Sequence, residues 1–172
     1  CAVDRRRPHN PSVEDLKDKT YRAFQNILQV SNFVSPRGSY HESMDYMRIS
    51  YVPMAMLAEL QRTTTGVDPA LRFGTYQSFT DTYLYKLMPD GTPSREGDNE
   101  YPILDDRDTA VLGYAVNRFK NPYAAWLLRD SGFAAKKWAS PVLDFLWNDP
   151  DVAPRDPALA RPDEIPRHRY FP

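Results

Sequence analysis

From Tyr21 to Val142 the apolar residues of this chain recur three and four positions apart, and no stretch alternates with period two. Such a rhythm confines the fold to helices packed on helices. Ser12 with Asp15 makes a capping-box start, and the segment to about Val30 sets Tyr21, Phe24, Ile27 and Leu28 on one face of a first helix. Ser39 with Glu42 offers a second capping box, leading into a helix that carries Tyr46, Ile49, Pro53, Met56 and Leu60 in one stripe. Pro53 should kink that helix or remove one of its hydrogen bonds. Asp68-Pro69 opens a third helix, along which Tyr76, Phe79, Tyr83 and Leu87 repeat. The polar, turn-rich run MPDGTPSREGDNEYP follows and is too long for a tight connector. DDRDTAVLGYAVNRF predicts a fourth helix, Asn121-Pro122 a fifth ended by Gly132, and Ser140-Pro141 a sixth.

Beyond Asn148 the prolines at 150, 154, 157, 162, 166 and 172 disfavour regular structure. The expectation is a helical body over residues 1–148, from which residues 149–172 leave as an extended tail. Helices of moderate length joined by uneven loops suit an all-α array of antiparallel hairpins. An array of this kind buries its faces against neighbours on both sides, so a part of one should expose apolar surface. The opening CAVDRRRPHNP is polar and proline-containing, and it reads as an inter-helix connection with the true start of the protein upstream.

Composition narrows the partners. The 22 basic and 23 acidic residues of the 172 are scattered, giving a net charge of −1 and no basic block for a phosphate backbone, which argues against nucleic acid. No apolar run approaches membrane-spanning length. Cys1 is the single cysteine, so no intramolecular disulfide can form. Asp105, Asp106 and Asp108 read as dipole complementation in a first helical turn rather than as metal ligands, and neither a metal nor another cofactor is expected.

Chemically useful side chains are densest in Arg37-Gly38-Ser39-Tyr40-His41-Glu42-Ser43-Met44-Asp45-Tyr46, at the start of the second helix. A helix N-terminus favours anions, which suits a uronate carboxylate. The plainer alternative stands beside it: Glu42 completing its capping box, His41 solvated in the first turn, and Tyr46 in the core in register with Ile49 and Pro53.

GSYHESMDY resembles a pattern of the heparinase II/III-like polysaccharide lyases, in which Asp-Gly, an aromatic and a Glu precede a Tyr on the next helix. Gly38, Tyr40, Glu42 and Tyr46 stand at those positions, and Arg37 replaces the usual Asp. PDGTPSREGDN is similar to a second segment of that family through Pro89, Asp90, Gly91, Arg95, Gly97 and Asp98. HRYFP at the end resembles the link between the helical toroid and a following β-sandwich. The resemblance implies part of an incomplete (α/α) toroid that cleaves an acidic, uronate-containing polysaccharide by β-elimination. It implies Tyr46 as the catalytic residue, with Tyr51 as its rival or a substrate contact. Glu42, His41 and Arg95 would bind substrate, Arg95 by meeting a sugar carboxylate bidentately, and Asp98 would hold its loop.

Two departures matter. The residue that neutralises the sugar carboxylate is expected on an earlier helix, and His9 and Asn10 sit too close in sequence to supply it. A second catalytic His belongs to the β-sandwich, which would begin after Pro172 and be contacted by His168 and Arg169. This chain alone is thus expected to be inactive, its site completed by upstream helices and the β-sandwich of the same enzyme. Family membership would imply a bacterial protein in the periplasm or outside the cell. The competing readings are a non-catalytic helical module that binds glycans or proteins through its aromatic face, and an (α/α)-toroid glycoside hydrolase using Glu42 with Asp98 or Asp45. Trp126 and Trp138 read as core residues rather than sugar platforms.

Overall fold

The computed structural model describes residues 12–34, 44–90, 92, 94, 106–132, 141–161 and 163–165. Among them the fold is all-α, with no β-strand. Helix α1 (Val13–Val34) begins as its capping box dictates: the Asp15 amide donates to Ser12 Oγ at 3.0 Å and the Ser12 amide to Asp15 Oδ2 at 3.2 Å. Helix α2 (Met44–Thr65) returns antiparallel beside it. The reversal is fixed by Gln25 Nε2 donating to Gln61 Oε1 at 3.0 Å and by a 2.6 Å contact between the Tyr21 hydroxyl and Thr64 Oγ1. Phe24 and Leu28 turn inward, whereas Ile27 faces out.

The expected third helix is broken into α3 (Pro69–Arg72), α4 (Gly74–Gln77) and α5 (Phe79–Lys86). Asp68 caps α3 by accepting from the amides of Ala70 at 3.1 Å and Leu71 at 3.4 Å. The breaks fall at Phe73, which is extended (φ −113°, ψ 121°), and at Ser78 (φ −95°, ψ 5°). Tyr76, Phe79 and Tyr83 are nonetheless all fully buried, because the two bends keep each ring turned to the same interior. Spacing reports which residues are buried, not whether the backbone between them is continuous.

Helix α6 (Asp106–Phe119) is the central post. Every residue from Asp108 to Val116 is buried, and α6 packs against α2, α5, α7 (Pro122–Arg129) and α8 (Pro141–Trp147). Between α6 and α7 the chain turns at Lys120, a non-glycine residue at φ 52°, and Asn121 caps α7 by accepting from the amides of Tyr123 and Ala124 at 3.0 and 3.1 Å. Helix α7 stops at Arg129, and Gly132 beyond it takes the left-handed φ of 75° that favours glycine. Trp147 at the end of α8 stands edge-on to Tyr114 of α6, ring centres 5.2 Å apart. Trp126 packs partly buried against this core, and Trp138 lies outside the described residues.

Two expectations are corrected. The α2 stripe does not face the core: Tyr46, Ile49, Met56 and Leu60 are 43 to 51% exposed and Pro53 is exposed with them, while Met47, Tyr51, Met54, Ala55 and Ala58 make the buried arc. Helix α2 is apolar on both sides, so periodicity finds a stripe without saying which one turns inward. Pro53 lies within α2 on its exposed outer side. The second correction concerns the tail. Among its described residues through Ile165 the segment carries one 3-10 turn, Pro157–Leu159, and is held against α7 rather than leaving the body. The Arg155 amide donates to the Pro122 carbonyl at 3.0 Å, and Arg129 donates to the carbonyls of Asp149 and Val152 at 2.5 and 2.8 Å. Glu164 accepts from Arg155 Nη1 at 2.8 Å, from the Arg161 amide at 2.9 Å and from the Tyr123 hydroxyl at 3.1 Å.

Leu112, fully buried in α6, should lose about 2–5 kcal/mol of stability on replacement by Ala. Leu159→Ala, at a position 74% exposed, should stay within about 0.5 kcal/mol. Urea unfolding of the two variants separates a post from a surface turn. The tail clasp should respond to acid. The Arg161 amide and the Arg155 guanidinium hold the Glu164 carboxyl down at about 2, against a usual value of 4.5. A depressed carboxylate stabilises above its unfolded pKa and stops doing so as pH falls through its folded one. Proteolysis of residues 149–165 should therefore rise as pH drops from about 4.5 towards 2, and Glu164→Gln should be susceptible already at neutral pH.

Candidate functional site

The first turns of α2 bring two kinds of side chain close together in sequence. Tyr46 is 43% exposed. Two residues on, and about 200° around the helix, Arg48 is 1% exposed and points into the core. Its Nη1 donates to Asp108 Oδ2 of α6 at 2.8 Å, and the other oxygen, Oδ1, accepts from the Tyr83 hydroxyl of α5 at 2.8 Å. A carboxylate buried to this degree is tolerated only when paired and hydrogen-bonded, and Asp108 has both. Burial pushes the Tyr83 phenol well above its ordinary pKa, and the adjacent Asp108 charge pushes it further. Tyr83 therefore stays protonated and serves as a donor.

An aromatic layer backs this cluster. Tyr51 stacks on Phe79 with ring centres 4.0 Å apart and planes 21° apart, and Tyr76 meets Phe79 at 5.3 Å. The Tyr76 hydroxyl donates to the Met54 carbonyl at 3.0 Å. Tyr51 is thus a core residue, 2% exposed, and the expectation that it rivals Tyr46 or touches substrate gives way to packing. Between the two tyrosines, Tyr46 alone stands at the surface. His41, Glu42 and Arg95, with Asp98 and the side chain of Asp45, lie outside the described residues, as do His168 and Arg169.

A second polar cluster occupies the far end of α2. Glu59 Oε2 accepts from Arg62 Nη2 and Nε at 2.6 and 2.9 Å, while Arg118 of α6 pairs with Asp68 and approaches Glu59 Oε1 at 3.6 Å. Burial, followed by the neighbouring Glu59 charge, raises the Tyr114 phenol above its usual pKa. Glu59 and Arg62 line a groove of about 610 Å³ between α2 and α8, whose walls also include Met56, Leu60, Val142, Leu143 and Leu146. Among the described residues no group of three or more His, Cys, Asp or Glu could hold a metal ion, and no helix is long and apolar enough to cross a membrane. Comparison with protein-family models, with curated proteins and with solved structures gave no match.

Sequence reasoning missed Arg48, Tyr83 and Asp108 as a unit. A signal was present: Arg48 falls between Met47 and Tyr51 on the arc opposite the stripe, and Asp108 shares a helix face with Val111, Leu112 and Ala115. Two opposite charges, each in an apolar register, are candidates for one another.

Replacing Asp108 by Ala strands the Arg48 charge and should cost about 3–5 kcal/mol in urea unfolding. Tyr83→Phe removes a single donor to the carboxylate and should cost roughly 1.5–3 kcal/mol. The double variant Arg48→Met with Asp108→Leu should be less destabilised than the sum of its single variants, because no charge is left buried alone.

Proposed function

We propose that this chain is a segment of a polysaccharide lyase that cleaves uronate-containing polysaccharide by β-elimination, built on part of an incomplete (α/α) toroid. The supporting observation is the position of Tyr46: half-exposed at the N-terminal end of α2, on a turn locked from behind by Arg48, Asp108 and Tyr83. A surface phenol on a rigid turn is what a proton donor in a cleft requires.

In the reaction a base removes the proton at sugar C5, that electron pair forms the C4–C5 double bond, and the C4–O bond breaks. The departing oxygen then takes a proton. Tyr46 is assigned protonation of that oxygen, a step open to a positioned phenol. Glu42, His41 and Arg95 are assigned to substrate, with Arg95 on a sugar carboxylate, where neutralised charge makes the C5 proton easier to remove. The remaining parts of the enzyme, upstream helices and a β-sandwich, would supply the carboxylate-neutralising residue and a second His. The reading also carries a bacterial protein of the periplasm or cell exterior.

A second reading, a non-catalytic helical binding module, is favoured by one observation: the outer face of α2 presents aliphatic side chains rather than polar groups.

The test uses the enzyme containing this segment, with heparan, chondroitin, hyaluronan and alginate as substrates and ultraviolet absorbance of the unsaturated uronate product as readout. Tyr46→Phe should lower kcat by roughly 10²–10⁴-fold without shifting the unfolding midpoint. Tyr51→Phe should act on stability instead. Absence of product from all four polysaccharides would sink the lyase reading in favour of the binding module.

A further inference from the structure

Residues 149–165 are joined to the helical body chiefly by polar contacts. None of the described residues in this span is buried, and Val152 packs only partly against the core. Every residue of α6 from Asp108 to Val116, by contrast, is buried. A contiguous segment with little buried apolar surface opens at a lower free energy than a core helix does, and the two need not open together.

Two latches hold the segment, one towards each end. At the near end the Lys120 ammonium pairs with the Asp149 carboxylate, and Arg129 of α7 donates to the carbonyls of Asp149 and Val152 at 2.5 and 2.8 Å. At the far end Glu164 accepts from Arg155 Nη1 at 2.8 Å, from the Arg161 amide at 2.9 Å and from the Tyr123 hydroxyl of α7 at 3.1 Å. Arg155 ties the two together. Its side chain reaches Glu164 while its own amide donates to the Pro122 carbonyl, at the start of α7, at 3.0 Å. Between them Asp156 caps the 3-10 turn by accepting from the Ala158 amide at 2.8 Å. Losing either latch therefore withdraws support from one shared stretch of backbone.

The near latch is held by a residue in a costly conformation. Lys120 sits at φ 52°, in the left-handed region that glycine adopts freely and a lysine does not. Glycine would make that turn at less cost; what the lysine adds is the contact to Asp149. The second half of the segment lies beside α5, where Pro157, Ala160, Arg161 and Ile165 face Leu84 and Tyr85 across a cavity of about 220 Å³. Opening would uncover this side of α5 together with Pro122 and Tyr123.

We infer that residues 149–165 form a latched strap, which opens and closes as one unit over α7 and α5 while the helical body stays folded. Hydrogen exchange of single amides, read by NMR on this chain at constant pH, tests it. Lys120→Gly removes the near latch and leaves the turn in a conformation that suits glycine. It should speed exchange of the far-end Arg161 amide about tenfold or more, with the Leu112 amide of α6 unchanged. Arg155→Met breaks the far latch and should speed exchange of the near-end Val152 amide by a similar factor. A far-end amide untouched by Lys120→Gly, or a near-end amide untouched by Arg155→Met, overturns the single strap and leaves two separate turns. Strap amides that exchange no faster than that of Leu112 also overturn it, because the segment would then open only with the whole body. Strap opening does not depend on the lyase reading, and uronate cleavage has its own signal, so either can fail alone.

Discussion

Three helices meet at a single carboxylate. Asp108 of α6 receives Arg48 from α2 on one oxygen and Tyr83 from α5 on the other, all three essentially removed from water. Placing a charge there is costly, and the pair's net contribution to stability is small or even negative against an apolar substitute of the same shape. What the cluster supplies is uniqueness. Sliding α2 by one residue along α6 would turn Arg48 by about 100° and strand both charges in an apolar interior. Apolar neighbours such as Met47, Ala55 and Ala58 would tolerate a small slip far better. The packing of α2 and α5 against the central post is therefore specified by polar geometry set within an otherwise forgiving apolar core.

That anchoring has consequences on the opposite side of α2. With Arg48 fixed inward, helical geometry fixes Tyr46 and Ile49 outward, and the 3–4 spacing carries the rest of the stripe with them. The exposed apolar stripe and the exposed phenol are not incidental to the fold; they follow from where the buried charge must lie. The groove against α8 has a similar origin. Trp147 is drawn in by its edge-on contact with Tyr114, which sets α8 beside the last turns of α2 and leaves Val142 and Leu146 as a second wall.

What could be read from sequence was mostly local. The caps at Ser12, Asp68 and Asn121 depend on a side chain reaching amides two or three residues away, and each forms where it was expected. The helical class follows from spacing alone. Continuity did not, because Phe73 and Ser78 break the third segment without altering which aromatics are buried. Orientation did not either: α2 carries two apolar arcs, and choosing between them required knowing that Arg48 has a partner sixty positions later. The tail failed for a third reason. Prolines forbid helix and sheet but do not forbid packing, and Arg155, Glu164 and Tyr123 supply hydrogen bonds that bring an irregular segment back to α7. The two candidate tyrosines, Tyr46 and Tyr51, lie five residues apart and hence about 140° apart around the helix, so the orientation of α2 leaves the first exposed and buries the second.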